Sequence, residues 1–244
     1  MRNMKKLIFN IYNRTIGNLL LLSQNTLRVQ SISQRLFDVI DQQVLQDCAQ
    51  YALNNFSNAL RFRTRQEMWS FCLKKIHQVQ PSGDGIIAEF GVWSGTSINF
   101  FAKNSPKSRL FGFDSFEGLE EDWVGRNLQK GSFNRNGELP KVESNVKLTK
   151  GWFEDTVPEF VNKLSMEKIL LVHMDADTYK PTKFVLNSII KNLGKGSILI
   201  FDEYFGYSGW KLHEFKAWQE TVEFYDIQYR YIGYSSEQVA IEIL

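Results

Sequence analysis

The sequence predicts a doubly wound α/β fold, a mostly parallel sheet of seven strands with helices on both faces, behind an N-terminal helical extension. Three observations carry that expectation. Short apolar strands alternate with helical patterns from Ile86 to the C-terminus, as in sheets built from crossovers. A glycine turn, Gly91 to Gly95, joins the first of these strands to the helix after it. Four strands end in acid, at Glu89, Asp114, Asp175 and Asp202-Glu203.

Length and composition set the frame. A chain of 244 residues suits one α/β domain with an appendage. We place residues 1–62 in the helical extension and 63–244 in the main domain. With 19 Phe and 6 Trp a large core can be filled, and a net charge of +2 argues against a dedicated nucleic-acid binder. Cys48 and Cys72 are the only cysteines and lie in helical patterns, so no disulfide framework is implied. No apolar run approaches the ~20 residues that span a bilayer, and no signal peptide is read at the N-terminus. A cytoplasmic protein is expected.

Along the chain, residues 1–37 hold Arg2, Lys5, Lys6, Arg14, Arg28 and Arg35 and no acid. Ile8, Ile11, Tyr12, Ile16, Leu19 and Leu20 recur at helical spacing. Such a stripe reads as a docking or dimerising helix, or as a basic helix lying on an anionic membrane. A homo-oligomer is expected on the first reading and peripheral membrane contact on the second. Further helices are expected over 34–59 and 63–79, before the break at Pro81-Ser82-Gly83-Asp84-Gly85. Strands then follow at Ile86–Ala88, Arg109–Phe113, Val146–Thr149, Ile169–Met174 and Ser197–Phe201. Helices separate them, one capped by Asp155 or Thr156 and running to Leu164, another over 181–193. A helix over 210–224 precedes two final antiparallel strands at 227–232 and 239–244. The polar segment 117–144, with Trp123 and Phe133, is long for a loop in a compact domain and is the expected lid.

The acidic strand ends are the chemical signal. In an open α/β sheet the carboxyl ends of the strands line one crevice where ligands bind. Four acids at one rim leave negative charge that calls for a cationic ligand, a metal ion, or both. Asp114 follows Glu89 at the βαβ distance at which a carboxylate can accept ribose hydroxyls. Asp175, Asp202 and Glu203, at the tips of neighbouring strands, form an oxygen-rich set that suits Mg²⁺. Asp177, in the same turn as Asp175, is the alternative ligand. His173 reads as a core histidine and His213 as a residue on a solvated helix face.

The stretches EFGVWSGTS (89–97), FDSFEGL (113–119), KGWFEDTVP (150–158), HMDADTY (173–179) and FDEY (201–204) together resemble class I S-adenosylmethionine-dependent methyltransferases. More specifically, they are similar to the macrocin O-methyltransferase family of metal-dependent sugar methyltransferases. The resemblance covers residues 86–205 and is loose over 1–60. It implies a Rossmann-like methyltransferase fold, S-adenosylmethionine as donor and Mg²⁺ as metal. By the same resemblance Glu89, Gly91, Val92, Gly95, Thr96 and Ser97 surround the methionine part of the donor. Asp114 and Ser115 hold its ribose, while Gly151, Trp152 and Phe153 flank its adenine. Asp175, Asp202 and Glu203 take the metal, and Asp175 also acts as the base. The expected reaction is methyl transfer to a hydroxyl of a sugar or glycosylated small molecule. A catechol or phenolic acceptor is the nearest alternative. A nicotinamide-dependent sugar oxidoreductase is a rival from another class, against which the missing third glycine counts.

Overall fold

The computed structural model describes residues 32–244, so the basic apolar stripe between Ile8 and Leu20 lies outside the described residues. Helix α1 spans Ile32–Asn55. The chain divides after Val44, and everything below concerns residues 45–244. Strand β1 is Leu60–Arg61, followed by α2 (Arg65–Val79), β2 (Ile86–Phe90), α3 (Thr96–Asn104), β3 (Arg109–Asp114) and β4 (Val146–Lys150). Then come α4 (Phe153–Leu164), β5 (Ile169–Met174), α5 (Tyr179–Ile189), β6 (Ile198–Phe201), α6 (Glu214–Tyr225), β7 (Tyr229–Ser235) and β8 (Gln238–Ile243). Among the described residues no helix is long and apolar enough to cross a membrane.

One eight-stranded sheet results, in the order β1-β7-β8-β6-β5-β2-β3-β4. It is parallel except at β8, which runs antiparallel to both β6 and β7. The expected count of seven strands is therefore one short. The extra strand is β1, two exposed residues paired in parallel with β7 at the sheet edge. Two solvent-facing residues carry no hydrophobic period, so nothing in the sequence marks them as a strand. The central strands are legible for the opposite reason. Every residue of β2, β5 and β6 is buried, and strands covered on both faces read as continuous apolar runs.

Helix α4 begins at Phe153, not at the expected Asp155 or Thr156, with Trp152 at its N-cap. Glu154 and Asp155 fall in its first turn, where the helix dipole favours acid. Pro158 then lies inside the helix, past its first turn. The 210–224 segment also splits, into a 3₁₀ turn over Trp210–Leu212 and α6 proper.

Helix α3 rests against β3 through Gly112. A Cβ there would lie 2.6 Å from Ile98 Cδ1 and 2.9 Å from both Val92 Cγ2 and Leu148 Cδ2. The missing side chain lets the helix that follows the glycine turn sit directly on the sheet. Gly112→Val overpacks that contact and is expected to lower stability by about 1–3 kcal/mol. Urea denaturation checks it: a lowered midpoint at unchanged m-value is expected, and an unchanged midpoint would mean that α3 does not bear on β3.

Candidate active site

The floor of the site is main chain. Gly91 follows β2 with φ 93°, and a Cβ on it would lie 1.7 Å from the carbonyl oxygen of Asp175. Only glycine lets the turn after β2 touch the turn after β5. Ladder bonds run on past the strand ends: Gly91 N–H donates to Phe113 O at 2.9 Å, Asp175 N–H to Phe90 O at 2.9 Å and Asp202 N–H to Met174 O at 2.9 Å. Asp114 ties the glycine turn down. Its Oδ2 accepts the N–H groups of Val92 (2.8 Å) and Trp93 (2.7 Å), and its Oδ1 accepts that of Phe116 (2.6 Å). That bonding offsets the positive φ of Trp93 (43°) and Phe116 (58°), which few non-glycine residues adopt.

Two turns carry the acids. One oxygen each of Asp175, Asp177 and Glu203 lie within 4.8 Å of one another, as do single ligand atoms of His173, Asp175 and Asp202. Burial and then the charge of Asp202 push the Asp177 carboxyl up to about 8, and the same two causes hold Asp175 and Glu203 well above the usual carboxylate range. Glu203 Oε2 is buried without a hydrogen-bond partner. A donor set made of carboxylate oxygens, with one unpaired and no cation among them, fits a hard divalent ion such as Mg²⁺.

Glu214, buried at the start of α6, braces both turns. It accepts the N–H of Ala176 at 3.3 Å and that of Glu203 at 3.0 Å. The sequence reading passed over it, because an acid in a first helical turn has an ordinary explanation in the helix dipole.

Beneath the acids, His173 is wholly buried between Glu89 and Asp202. Its Nδ1 lies 3.2 Å from Glu89 Oε2 and its Nε2 3.3 Å from Asp202 Oδ1. The N–H directions are off line, so these are ion-pair contacts more than aligned hydrogen bonds. Burial presses the imidazole towards neutrality, yet the two carboxylates outweigh it and hold His173 well above its ordinary value. Asp202 responds in kind: burial pushes it up, but His173, together with Glu203 and Arg65, outweighs burial and the group ends below the usual range. Glu89 stays raised, because burial exceeds the contacts from His173 and Ser97. Gln238 donates to Asp202 and accepts from Trp69 Nε1, which closes the network from behind.

The long loop folds over this rim. His213 is buried, not on a solvated face as expected, and contacts Val124 O at 2.8 Å through Nε2. A carbonyl only accepts, so Nε2 carries the hydrogen. Arg126 stacks over the Tyr207 ring at 4.1 Å and pairs with Glu237. Trp123 is buried against Tyr207 and His213. A cavity of about 270 Å³ remains, near the lower end of small-molecule pockets. Its walls combine Trp93, Phe133, Trp152 and Phe153 with seven acids, and Arg65 is its one basic side chain among the described lining residues.

The family described as a methyltransferase domain matches residues 88–204, the stretch that holds both turns. The chain is 26% identical over 165 residues to the 8-demethyl-8-(2,3-dimethoxy-alpha-L-rhamnosyl)-tetracenomycin-C 4'-O-methyltransferase of Streptomyces olivaceus, covering 57% of this chain and 60% of that protein. It is 25% identical over 145 residues to the mycinamicin III 3''-O-methyltransferase of Micromonospora griseorubida, covering 49% and 55%. The match thus spans less than two thirds of each of these relatives. The calicheamicin methyltransferase CalS11 superposes with a TM-score of 0.57 at 23% identity, over 87% of this chain and 93% of that one. That likeness is one of fold.

Of the residues the sequence singles out, Gly91, Asp114, Ser115, Gly151, Trp152, Phe153, Asp175, Asp202 and Glu203 line the cavity described above. Asp177 lines it as well. Glu89, Val92, Gly95, Thr96 and Ser97 are not among the lining residues. Glu89 takes the Ser97 hydroxyl at 3.1 Å and faces His173, Val92 packs into the core, and Gly95 caps α3 with φ 79°. Thr96 Oγ1 lies 3.0 Å from Ser94 Oγ.

The raised acids set a pH dependence. A carboxyl whose folded pKa exceeds its unfolded value favours folding while protonated. That stability is fully present below the unfolded pKa, near 4, and is lost as pH rises through the folded one. For Asp177 the window runs up to about 8. In chelator, raising the pH from 5 to 8.5 is expected to lower the melting temperature by a few degrees, about 1 kcal/mol or more after solvent screening in the open cavity. Asp177→Asn should flatten part of that slope; an identical slope in the variant would refute the assignment.

Proposed function

We propose that the protein transfers the methyl group of S-adenosylmethionine to a hydroxyl oxygen of a sugar or glycosylated small molecule, with the help of a bound Mg²⁺. One observation carries this reading: a single cavity joins the Asp114-tied glycine turn to the acid turns after β5 and β6. The sugar O-methyltransferases named above support the choice of acceptor.

Gly91 and the turn behind it form the floor for the methionine part of the donor. Asp114 keeps part of its lone-pair capacity for the ribose, beside Ser115. Trp152 and Phe153, at the start of α4 and in the cavity wall, offer flat apolar surface for the adenine. Asp175 and Glu203, with either Asp202 or Asp177 as the third carboxylate, hold the divalent ion. When bound, that ion supplies Lewis-acid polarisation of the acceptor hydroxyl. The acceptor oxygen attacks the sulfonium methyl in line: the C–O bond forms, the C–S bond breaks and its electrons stay on sulfur. The hydroxyl proton passes to the Asp175 carboxylate, which lines the cavity among the acids that would hold the ion. Positioning of the oxygen, carbon and sulfur on one line supplies most of the acceleration.

Two measurements test this. Calorimetry should show S-adenosylhomocysteine binding that Asp114→Asn weakens by about 1.5–3 kcal/mol, the scale of hydrogen bonds to charge. Binding of NAD in place of the homocysteine product would overturn the reading. In a thermal-shift titration, Mg²⁺ at a hundred times its Kd should stabilise the chelator-stripped protein by about 2.7 kcal/mol. Glu203→Gln should abolish that shift. Of Asp177→Asn and Asp202→Asn, the one that weakens it more names the third ligand. No Mg²⁺ shift, together with full methyl transfer in chelator, would remove the metal.

A further inference from the structure

The cavity is rimmed by acid, so its single cation stands out. Arg65 is the first residue of α2, its side chain is 56% exposed, and it lines the cavity 3.9 Å from Asp202 Oδ2. Its guanidinium lies 5.8 Å from the centre of the Trp69 ring, a cation–π contact that steadies the head group beside the cavity. Two more arginines lead to it. Arg61 ends β1, and Arg63 and Arg65 follow at intervals of two along an extended segment in which Thr64 has φ −130° and ψ 154°.

Extended chain puts alternate residues on opposite sides. Phe62 packs inward, against Phe71 and over Gly233. Arg61 and Arg63 therefore lie on the other side, both exposed, and among the described residues neither guanidinium has an ion pair or hydrogen bond. Topology says where this row goes. β1 runs parallel to β7, and β7 and β6 are both antiparallel to β8, so β1 points the same way as β5 and β6. The row leaves the sheet edge at the carboxyl rim, where the candidate site opens.

We propose that Arg61, Arg63 and Arg65 form a track for a diphosphate attached to the acceptor sugar, with Arg65 gripping the phosphate nearest the sugar. The inference rests on the acceptor reading above and narrows it from sugars in general to phosphate-linked sugars. Arginine forks match phosphate oxygens two at a time. Seven acids in the cavity repel an anion there, so the phosphates stay on the track while the neutral sugar enters among the carboxylates. A nucleotide-linked and a lipid-linked sugar share this chemistry.

The test is calorimetry on the full-length protein in chelator, with and without S-adenosylhomocysteine, using uridine 5′-diphosphate, farnesyl diphosphate and inorganic pyrophosphate as probes. Binding of at least one probe is expected, weakened 10- to 100-fold by Arg65→Gln and several-fold by the surface pair Arg61→Ala/Arg63→Ala, with a shallower salt dependence in the pair. Arg65→Lys should recover part of the loss. Tighter binding of the uridine or the farnesyl probe names the nucleotide-linked or lipid-linked source; equal binding of all three supports recognition of the phosphates alone. No binding of any probe, or binding indifferent to both variants, overturns the proposal. Failure of S-adenosylhomocysteine to bind would instead strike the methyl-transfer reading, and the probe titrations on the free protein would still decide the track.

Discussion

His173 lies between two carboxylates in the middle of the sheet, and the charge it carries is what lets this rim hold so much acid. Glu89 belongs to β2, His173 to β5 and Asp202 to the end of β6, so the contacts cross three adjacent strands. An unpaired carboxylate buried at that depth would cost several kcal/mol. The imidazolium offsets two of them at once, and Ser97 and Gln238 satisfy further lone pairs from either side. With Asp202 held ionised, Asp175, Asp177 and Glu203 are left facing a fixed negative charge above an already crowded site. Their upward displacement follows from that arrangement and from burial.

The supports divide the rim into two halves with different mechanics. On the β2–β3 side, Asp114 works through main-chain N–H groups, and the shape of the glycine turn depends on it. On the β5–β6 side, Glu214 braces two turns from below through the N–H groups of Ala176 and Glu203. The long loop leans on both halves, through Val124, Arg126 and Trp123 against Tyr207, His213 and Glu237 on the second and through Phe133 against Trp93 on the first.

Much of this was legible in the sequence. The buried central strands read plainly as apolar runs, and the acids at their ends marked the rim, because strand direction and burial are local properties of the chain. Side-chain direction is not local in that sense. Glu89 looks like Asp114 in the sequence, an acid at the end of an apolar strand, yet it points beneath the rim because a histidine waits there on β5. His213 looks like a solvated residue of an amphipathic helix, and only the return of a loop some ninety positions earlier in the chain buries it. Glu214 and Arg65 escaped for a related reason. Each sits at a helix start, where an acid has an ordinary account and a lone exposed arginine draws no notice, and the reach of each towards the cavity is set by elements distant in sequence.

Gly91 and Asp175 meet through backbone atoms, with no side chain between the two turns. Their separation is thus independent of rotamers and of almost every possible substitution around the cavity. A lineage built on this frame can exchange side chains of the cavity wall such as Arg65 and Trp152 and so explore new occupants, while the spacing of the two turns is inherited unchanged. Diversity of recognition and constancy of geometry are, in this protein, written in different parts of the same chain.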